Sequence, residues 1–195
     1  MITAFESVTL DGVLQGLGRP DEDTRGGFAH GGWGADYQDD VSMAYAAEGM
    51  GEEGALLLGR RTYEDLLGFW TSLGEPNPFT DVLLRTEKHV VSRSEDTALA
   101  FPSSTLHAGD ADETVARLRD ASDVPLTILG SGELVRALHA ARLVDRFVLQ
   151  IHPIVLGSGT RLFGDGDRAD LRLERSIPTT TGVIIAEYAI EREGS

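Results

Sequence analysis

The chain predicts an α/β fold, a mostly parallel sheet with an antiparallel edge and flanking helices. Early in the chain, strand-like runs alternate with helical patterns; late in the chain, strand-like runs follow one another with no helix between them. Alternation implies parallel strands joined by crossover helices, and consecutive strands pair antiparallel. The run Ala55-Leu56-Leu57-Leu58 gives the sharpest single signal. It is apolar on both faces, stops at Gly59 and passes straight into a helical pattern.

Ile2 to Leu10 reads as the first strand, closed by the turn signal Asp11-Gly12. Gly16 to Gly34 is a long polar loop containing Gly26-Gly27 and Gly31-Gly32-Trp33-Gly34. Loops of this length are functional or disordered, and Trp33 favours function because disordered segments are poor in aromatics. A Trp that anchors the loop to the core is an equal alternative. Asp39 to Met50 reads as a helix with a small face of Ala44, Ala47 and Met50. After the strand Ala55–Leu58, the residues Tyr63, Leu66, Leu67 and Trp70 recur at i, i+3, i+4 and i+7, an amphipathic helix. Gly74 to Pro78 is a loop, and His89-Val90-Val91 is a short strand ending at Ser92-Arg93. Asp112 to Ala121 is a helix carrying Val115 and Leu118. Pro125 opens the strand Leu126-Thr127-Ile128-Leu129. Gly130-Ser131-Gly132 leads from it into a helix with Leu134, Val135, Leu138 and Ala141 on one face. Val144 to Ile151 is a strand. Leu171–Ser176 and Val183–Ile190 close the sheet as an antiparallel pair, with Ile184, Ala186, Tyr188 and Ile190 on one face.

Composition narrows the function. The chain has 195 residues with 17 basic and 32 acidic side chains, a net charge of −15. Nucleic acid and anionic membranes need a basic surface and are poor partners for it. There is no cysteine, so disulfides, thiolate chemistry and cysteine-based zinc sites are excluded. The five histidines show no ligand spacing, so no metal is expected. No signal peptide and no apolar run near the ~20 residues of a membrane span is visible, and the expected location is cytoplasmic.

Three strand ends carry ligand-binding chemistry: Gly59-Arg60-Arg61-Thr62, Ser92-Arg93 and Gly130-Ser131-Gly132-Glu133. Ligands of open α/β sheets bind outside the carboxyl ends of strands. Free N–H groups at a helix start, the helix dipole and guanidinium forks together favour a phosphate. Three such turns suit a dinucleotide with an extra phosphate. Taken singly, each has a plainer reading: solvated arginines, or glycines that ease a tight turn. No Gly-x-Gly-x-x-Gly follows the first strand, and no Walker sequence or Gly-x-Ser-x-Gly elbow is present.

In combination the pieces resemble the dihydrofolate-reductase-like superfamily. More narrowly, they resemble bacterial proteins related to the C-terminal reductase domain of bifunctional riboflavin biosynthesis enzymes. The matching stretches are Ser7-Val8-Thr9-Leu10-Asp11-Gly12, Leu56-Leu57-Leu58-Gly59-Arg60-Arg61-Thr62-Tyr63-Glu64, Val90-Val91-Ser92-Arg93, Ile128-Leu129-Gly130-Ser131-Gly132-Glu133-Leu134 and His152-Pro153-Ile154-Val155-Leu156-Gly157-Ser158-Gly159. They occur in the family's order and cover essentially the whole chain, as one stand-alone domain over residues 1–195.

The resemblance implies a dihydrofolate-reductase-like mixed sheet of roughly eight strands, NADPH as cofactor and a homodimer. It places Arg60 on the adenosine 2′-phosphate, with Arg93 or Ser92 nearby. Arg61 and Thr62 would reach the pyrophosphate, with Gly59 before them and Gly130, Ser131, Gly132, Glu133 and Leu134 on its other side. Val8 and Thr9 would border the nicotinamide. The matching Gly-Gly bond of dihydrofolate reductases is cis, and here it would be Gly130–Ser131. Asp11, Trp33 and Trp70 are assigned to the substrate. Dihydrofolate reductases carry a carboxylate shortly after a Trp; here Asp36, Asp39 and Asp40 follow Trp33 at spacings that do not match. Asp39 and Asp40 read as acids complementing a helix dipole, which leaves Asp36 as the candidate catalytic carboxylate.

The expected activity is NADPH-dependent hydride transfer to a small heterocyclic or carbonyl/imine substrate, with residues 16–34 as a lid. The alternative is a nucleotide-binding sensor or scaffold without turnover. Substrate-dependent oxidation of NADPH separates the two.

Overall fold

The computed structural model describes residues 1–50, 54–74 and 77–192, without the side chain of Met50. Residues 75 and 76 of the expected Gly74–Pro78 loop, and the Met50 side chain expected on the small helix face, lie outside the described residues. The strands are β1 (Ile2–Thr9), β2 (Ala55–Gly59), β3 (Lys88–Ser92), β4 (Ser104–Ala108), β5 (Leu126–Leu129), β6 (Arg146–His152), β7 (Asp170–Pro178) and β8 (Ile184–Glu191). The helices are α1 (Asp40–Met50), α2 (Arg60–Ser72), α3 (Pro78–Arg85), α4 (Ala111–Ala121) and α5 (Gly132–Ala140). The strands form one eight-stranded sheet in the order β4-β3-β2-β5-β1-β6-β8-β7. β2 runs parallel to β3 and β5, and β3 parallel to β4. β8 runs antiparallel to β6 and β7. This is the mostly parallel sheet with an antiparallel C-terminal edge that the residue pattern predicts.

The chain falls into two compact units, Met1–Ala4 with Glu52–Asp145, and Phe5–Gly51 with Arg146–Ser195. β1 runs through both. In the first unit, Leu58, Tyr63, Leu67, Leu83 and Val90 form a buried cluster, with Leu66, Trp70 and Phe79 packed against it. The helical spacing of Tyr63, Leu66, Leu67 and Trp70 thus faces β2 and β3 as expected. Two elements are additional to the sequence expectation. α3 is a short helix started by Asn77, whose side chain accepts from Phe79 N–H, with Pro78 in the first turn. β4 is a short strand at the sheet edge with no buried residue. It lacks the apolar run by which a strand is recognised. The sixth strand begins at Arg146 rather than Val144, because the chain leaves α5 through a tight turn with Arg142 at φ 58°.

Lys88, the only lysine, is fully buried at the start of β3. Its ammonium donates to the carbonyls of Leu83 (2.7 Å), Leu84 (3.3 Å) and Thr86 (2.6 Å). It therefore closes the C-terminal end of α3, where carbonyls lack helical partners.

In the second unit, the long loop is packed on itself. Val13, Phe28 and Trp33 are buried together, with Leu17, Ile154 and Leu156 against them. Buried Gln15 ties it inward. Its Nε2 donates to the carbonyls of Asp23 and Arg25, and its Oε1 accepts from Thr160. A Cβ at Gly31 would run into the Pro20 carbonyl, so this crossing needs glycine. Asp39 caps α1 through Ser42 N–H and also accepts from Thr180 between β7 and β8. These bonds hold its carboxyl well below the usual range. That matches its reading as a helix-start acid and adds a tie to the closing hairpin.

Candidate functional site

The first unit brings the three expected strand ends side by side. Gly59 is in register with Val91 on one side of β2, and Leu57 with Ile128 on the other. The turns after β2, β3 and β5 therefore leave one edge of the sheet as neighbours. Ser131 sits in the left-handed region (φ 67°, ψ 43°) just before α5, and Gly130 also has positive φ. A serine held there costs of the order of 1–3 kcal/mol. Its hydroxyl does not fold back to cap α5; it accepts the Gly59 N–H at 3.1 Å. The starts of α2 and α5 are thereby stapled together, and neither cap residue covers its own helix N–H groups. Among the described residues no peptide bond is cis; Gly130–Ser131, left open by the sequence, is trans, and the turn is made by two positive-φ residues.

The charges around these turns are weakly engaged. Arg60 pairs with Glu64 one turn along α2 (2.8 Å), with both side chains exposed. Arg61 reaches Glu133 on α5 (3.5 Å), again exposed. Exposed pairs of this kind contribute about 0–1 kcal/mol and yield readily to a phosphate. Arg93 is exposed and has no ion pair or hydrogen bond among the described residues. Ser92 differs: it is buried, and its hydroxyl accepts from Thr97 (2.7 Å) and Ser94 N–H. Gly132 and Leu134 are buried and Glu133 exposed, so α5 offers its first turn through the backbone. Thr62 lies beside Gly130: a Cβ added at this glycine would stand 3.5 Å from the Thr62 methyl.

The remaining predicted residues lie elsewhere. Trp70 belongs to the first unit's packing: its ring meets Phe79 edge-on at 4.7 Å, and its carbonyl accepts from Thr80. Val8, Thr9, Asp11, Trp33 and Asp36 are in the second unit. Thr9 is buried; its hydroxyl donates to Asp11 (2.6 Å) and accepts Val13 N–H. Asp11 also accepts from Leu156 and Gly157 N–H, and Arg161 lies 3.6 Å away. The Thr9 hydroxyl above all, with the two backbone donors, pulls its carboxyl down to about 2. Asp11 is thus an ionised turn-holder, its oxygens engaged by this loop. Asp36 is exposed in the short turn Ala35–Tyr37.

Trp33 is buried and its indole N–H donates to the Gln15 carbonyl at 2.7 Å. Its ring meets His152 edge-on at 5.0 Å, and Tyr37 meets the same imidazole at 5.4 Å. Burial lowers the His152 pKa, so the ring is neutral in this aromatic cage. The anchoring alternative for Trp33 therefore has direct geometric support. Its indole N–H should exchange slowly in ligand-free protein, read by proton NMR in heavy water. Exchange as fast as that of an exposed indole would return the residue to a moving lid.

Sequence reasoning missed Glu6. It lies on β1, almost fully buried, with Oε1 lacking any hydrogen-bond partner. Burial alone pushes its carboxyl up to about 8. The alternation of β1 places Glu6 on the same face as Ala4 and Val8, and a charged residue at a buried strand position is the signal that was available.

The comparisons agree with this geometry. The protein has the dihydrofolate-reductase-like fold. A riboflavin biosynthesis protein described from Shewanella sp. PV-4 superposes with a TM-score of 0.69 at 22% identity, covering 98% of this chain and 99% of that one. A pyrimidine reductase-like protein of Corynebacterium diphtheriae gives 0.64 at 14% identity, covering 98% and 92%. Dihydrofolate reductase of Enterococcus faecalis, in a complex with NADP(H), gives 0.63 at 15% identity, covering 98% and 97%. A search of curated proteins gives no significant match. Among the described residues no helix is long and apolar enough to cross a membrane, and no three metal-ligating side chains cluster. The model of the RibD C-terminal domain matches residues 1–185, spanning the strand-end motifs from Gly59 to Leu134 and the strands β6 and β7 that follow them, and the chain belongs to that family.

Proposed function

We propose that the protein is an NADPH-dependent reductase acting on a small planar heterocycle or conjugated carbonyl or imine. The observation that supports this most is the row of adjacent turns after β3, β2 and β5. They offer an unpaired Arg93, a weakly held Arg60 and two stapled helix starts. A phosphate on a ribose calls for guanidinium groups, and a pyrophosphate calls for backbone N–H groups at helix starts. Both are present on one sheet edge. Arg60 and Arg93 hold the extra phosphate in this reading. The first turns of α2 and α5 hold the pyrophosphate, with Thr62 and the bare backbone of Gly130 beside it. The cofactor supplies the hydride when bound, and the protein orients the reacting rings and excludes water. The family match and the fold shared with a dihydrofolate reductase support the same cofactor class.

Calorimetric titration should show NADPH binding more tightly than NADH. Arg60→Ala and Arg93→Ala should each remove much of the difference, since a charge-assisted phosphate contact contributes about 1.5–3 kcal/mol. Equal affinities in the parent would remove the reading. Loss of NADPH absorbance on adding a heterocyclic substrate then separates turnover from binding alone.

A further inference from the structure

Strands inside a mostly parallel sheet are ordinarily covered on both faces. β1 lies inside this sheet, with strands on either side, yet its two faces differ. Ala4, Glu6 and Val8 are buried; Phe5 and Ser7, on the other face, are partly exposed. Gln150 on β6 is partly exposed as well, and the Ser7 hydroxyl donates to its Oε1 at 3.2 Å. This is the face under α1: Tyr45 stacks on Phe5, with ring centroids 6.3 Å apart and planes 26° apart. None of the described side chains of α1 is buried, so the helix covers the face incompletely.

The groups around this face are not equally available. The Tyr45 hydroxyl donates to Glu187 (3.1 Å), and the Arg175 guanidinium lies over its ring at 5.7 Å. Glu187 is in turn held by Arg146 and Arg175. The carboxylate is committed and the aromatic wall is fixed. The Ser7–Gln150 pair is different. Beyond their mutual bond, neither side chain has another partner among the described residues. With Oε1 accepting from Ser7, the Gln150 amide keeps two N–H donors and Ser7 keeps its acceptor lone pairs. If the amide is turned the other way, Ser7 keeps a donor and Gln150 a carbonyl acceptor. In either orientation the pair presents one donor beside one acceptor, with no net charge.

We infer that the Ser7–Gln150 pair recognises the cis-amide edge of a flat heterocyclic ligand, with Phe5 and Tyr45 as the aromatic wall beside it. The complement of a donor next to an acceptor is an acceptor next to a donor, which a ring lactam (–CO–NH–) supplies. A protonated amidine presents two donors and suits a carboxylate instead. The inference rests on the reductase reading and specifies the substrate edge that such an enzyme takes.

A matched set of quinazolines tests it at pH 7, with the full chain alone and in the presence of NADPH. Quinazoline-2,4-dione carries the lactam edge, its 1,3-dimethyl derivative lacks the N–H, and 2,4-diaminoquinazoline presents the amidinium. Dissociation constants come from calorimetry, and contact is read from the NMR signal of the Gln150 side-chain amide. The dione should bind about tenfold or more tightly than the other two, because an unmatched polar edge leaves groups unpaired. Gln150→Leu and Ser7→Ala should abolish that preference with little change in melting temperature. Gln150→Glu should reverse it toward the diamino compound, a gain that a misfolded variant cannot produce. A dione preference that is missing, or that survives Gln150→Leu, overturns the inference. If NADPH still binds, the reductase reading stands. A Gln150-dependent preference in a chain that does not bind NADPH keeps the pair as a binding element and removes the reductase reading alone.

Discussion

Glu6→Gln should match the parent in stability near pH 4.5 and exceed it by several kcal/mol, on the order of 4, above pH 8. The Glu6 carboxyl is buried without a partner for Oε1, and burial raises it from 4.5 to about 8. Unfolding releases it into water, where it ionises near the lower value. Between those two values the folded chain holds a proton that the unfolded chain has lost, so stability falls as pH rises. Each pH unit in this window removes up to about 1.4 kcal/mol. Below the window both states are protonated and the term vanishes. Gln is neutral at every pH and of similar shape, so its curve lacks this fall. Urea unfolding at a series of pH values measures the difference. Parallel curves for the two proteins would show that Glu6 is ionised in the folded state, with its charge met by groups that move or by water.

Lys88→Met should destabilise the protein by about 3 kcal/mol, since a buried carbonyl left without a donor costs about 1–3 kcal/mol and the part-buried carbonyls of Leu84 and Thr86 recover part of theirs by rehydration. For a chain of this size the melting temperature should fall by roughly 6–12 °C. Met fills similar space, so the loss reports the bonds to Leu83, Leu84 and Thr86 rather than a cavity. NADPH affinity measured well below the transition should be unchanged. A loss under about 1 kcal/mol would mean that water replaces the ammonium at the end of α3.

The parts legible in the sequence were those with a strong local signal. Ala55–Leu58 followed by a helical pattern gave β2 and α2, and the late alternation of Ile184, Ala186, Tyr188 and Ile190 gave β8. The grouping of Gly59–Thr62, Ser92–Arg93 and Gly130–Leu134 followed from parallel pairing, which sets strand ends side by side. What stayed hidden depends on distant partners. Asp11 has the composition of a ligand-binding acid; only Leu156 and Gly157, 145 and 146 residues away, reveal it as a turn-holder. Ser131 read only as part of the turn around a pyrophosphate; the bond from Gly59 N–H to its hydroxyl spans 72 residues and leaves no local signal. β4 is short and without a buried residue, and α3 has only eight residues, so neither carries enough periodicity to be read.

The long span of the β1–β6 contact has a consequence during synthesis. Ser7 and Gln150 are 143 residues apart. A ribosome adding roughly 5–20 residues per second needs about 7–30 s to deliver the second after the first. Through that interval the Phe5–Thr9 half of β1 has no β6 to pair with, while β6 itself, once made, still waits for β8. An unpaired strand edge is a template for other chains. The nascent protein therefore passes through a stage in which its first strand presents an open edge to other chains. Yield in a cell should depend on how quickly translation reaches the last hairpin, or on what shields β1 until it does.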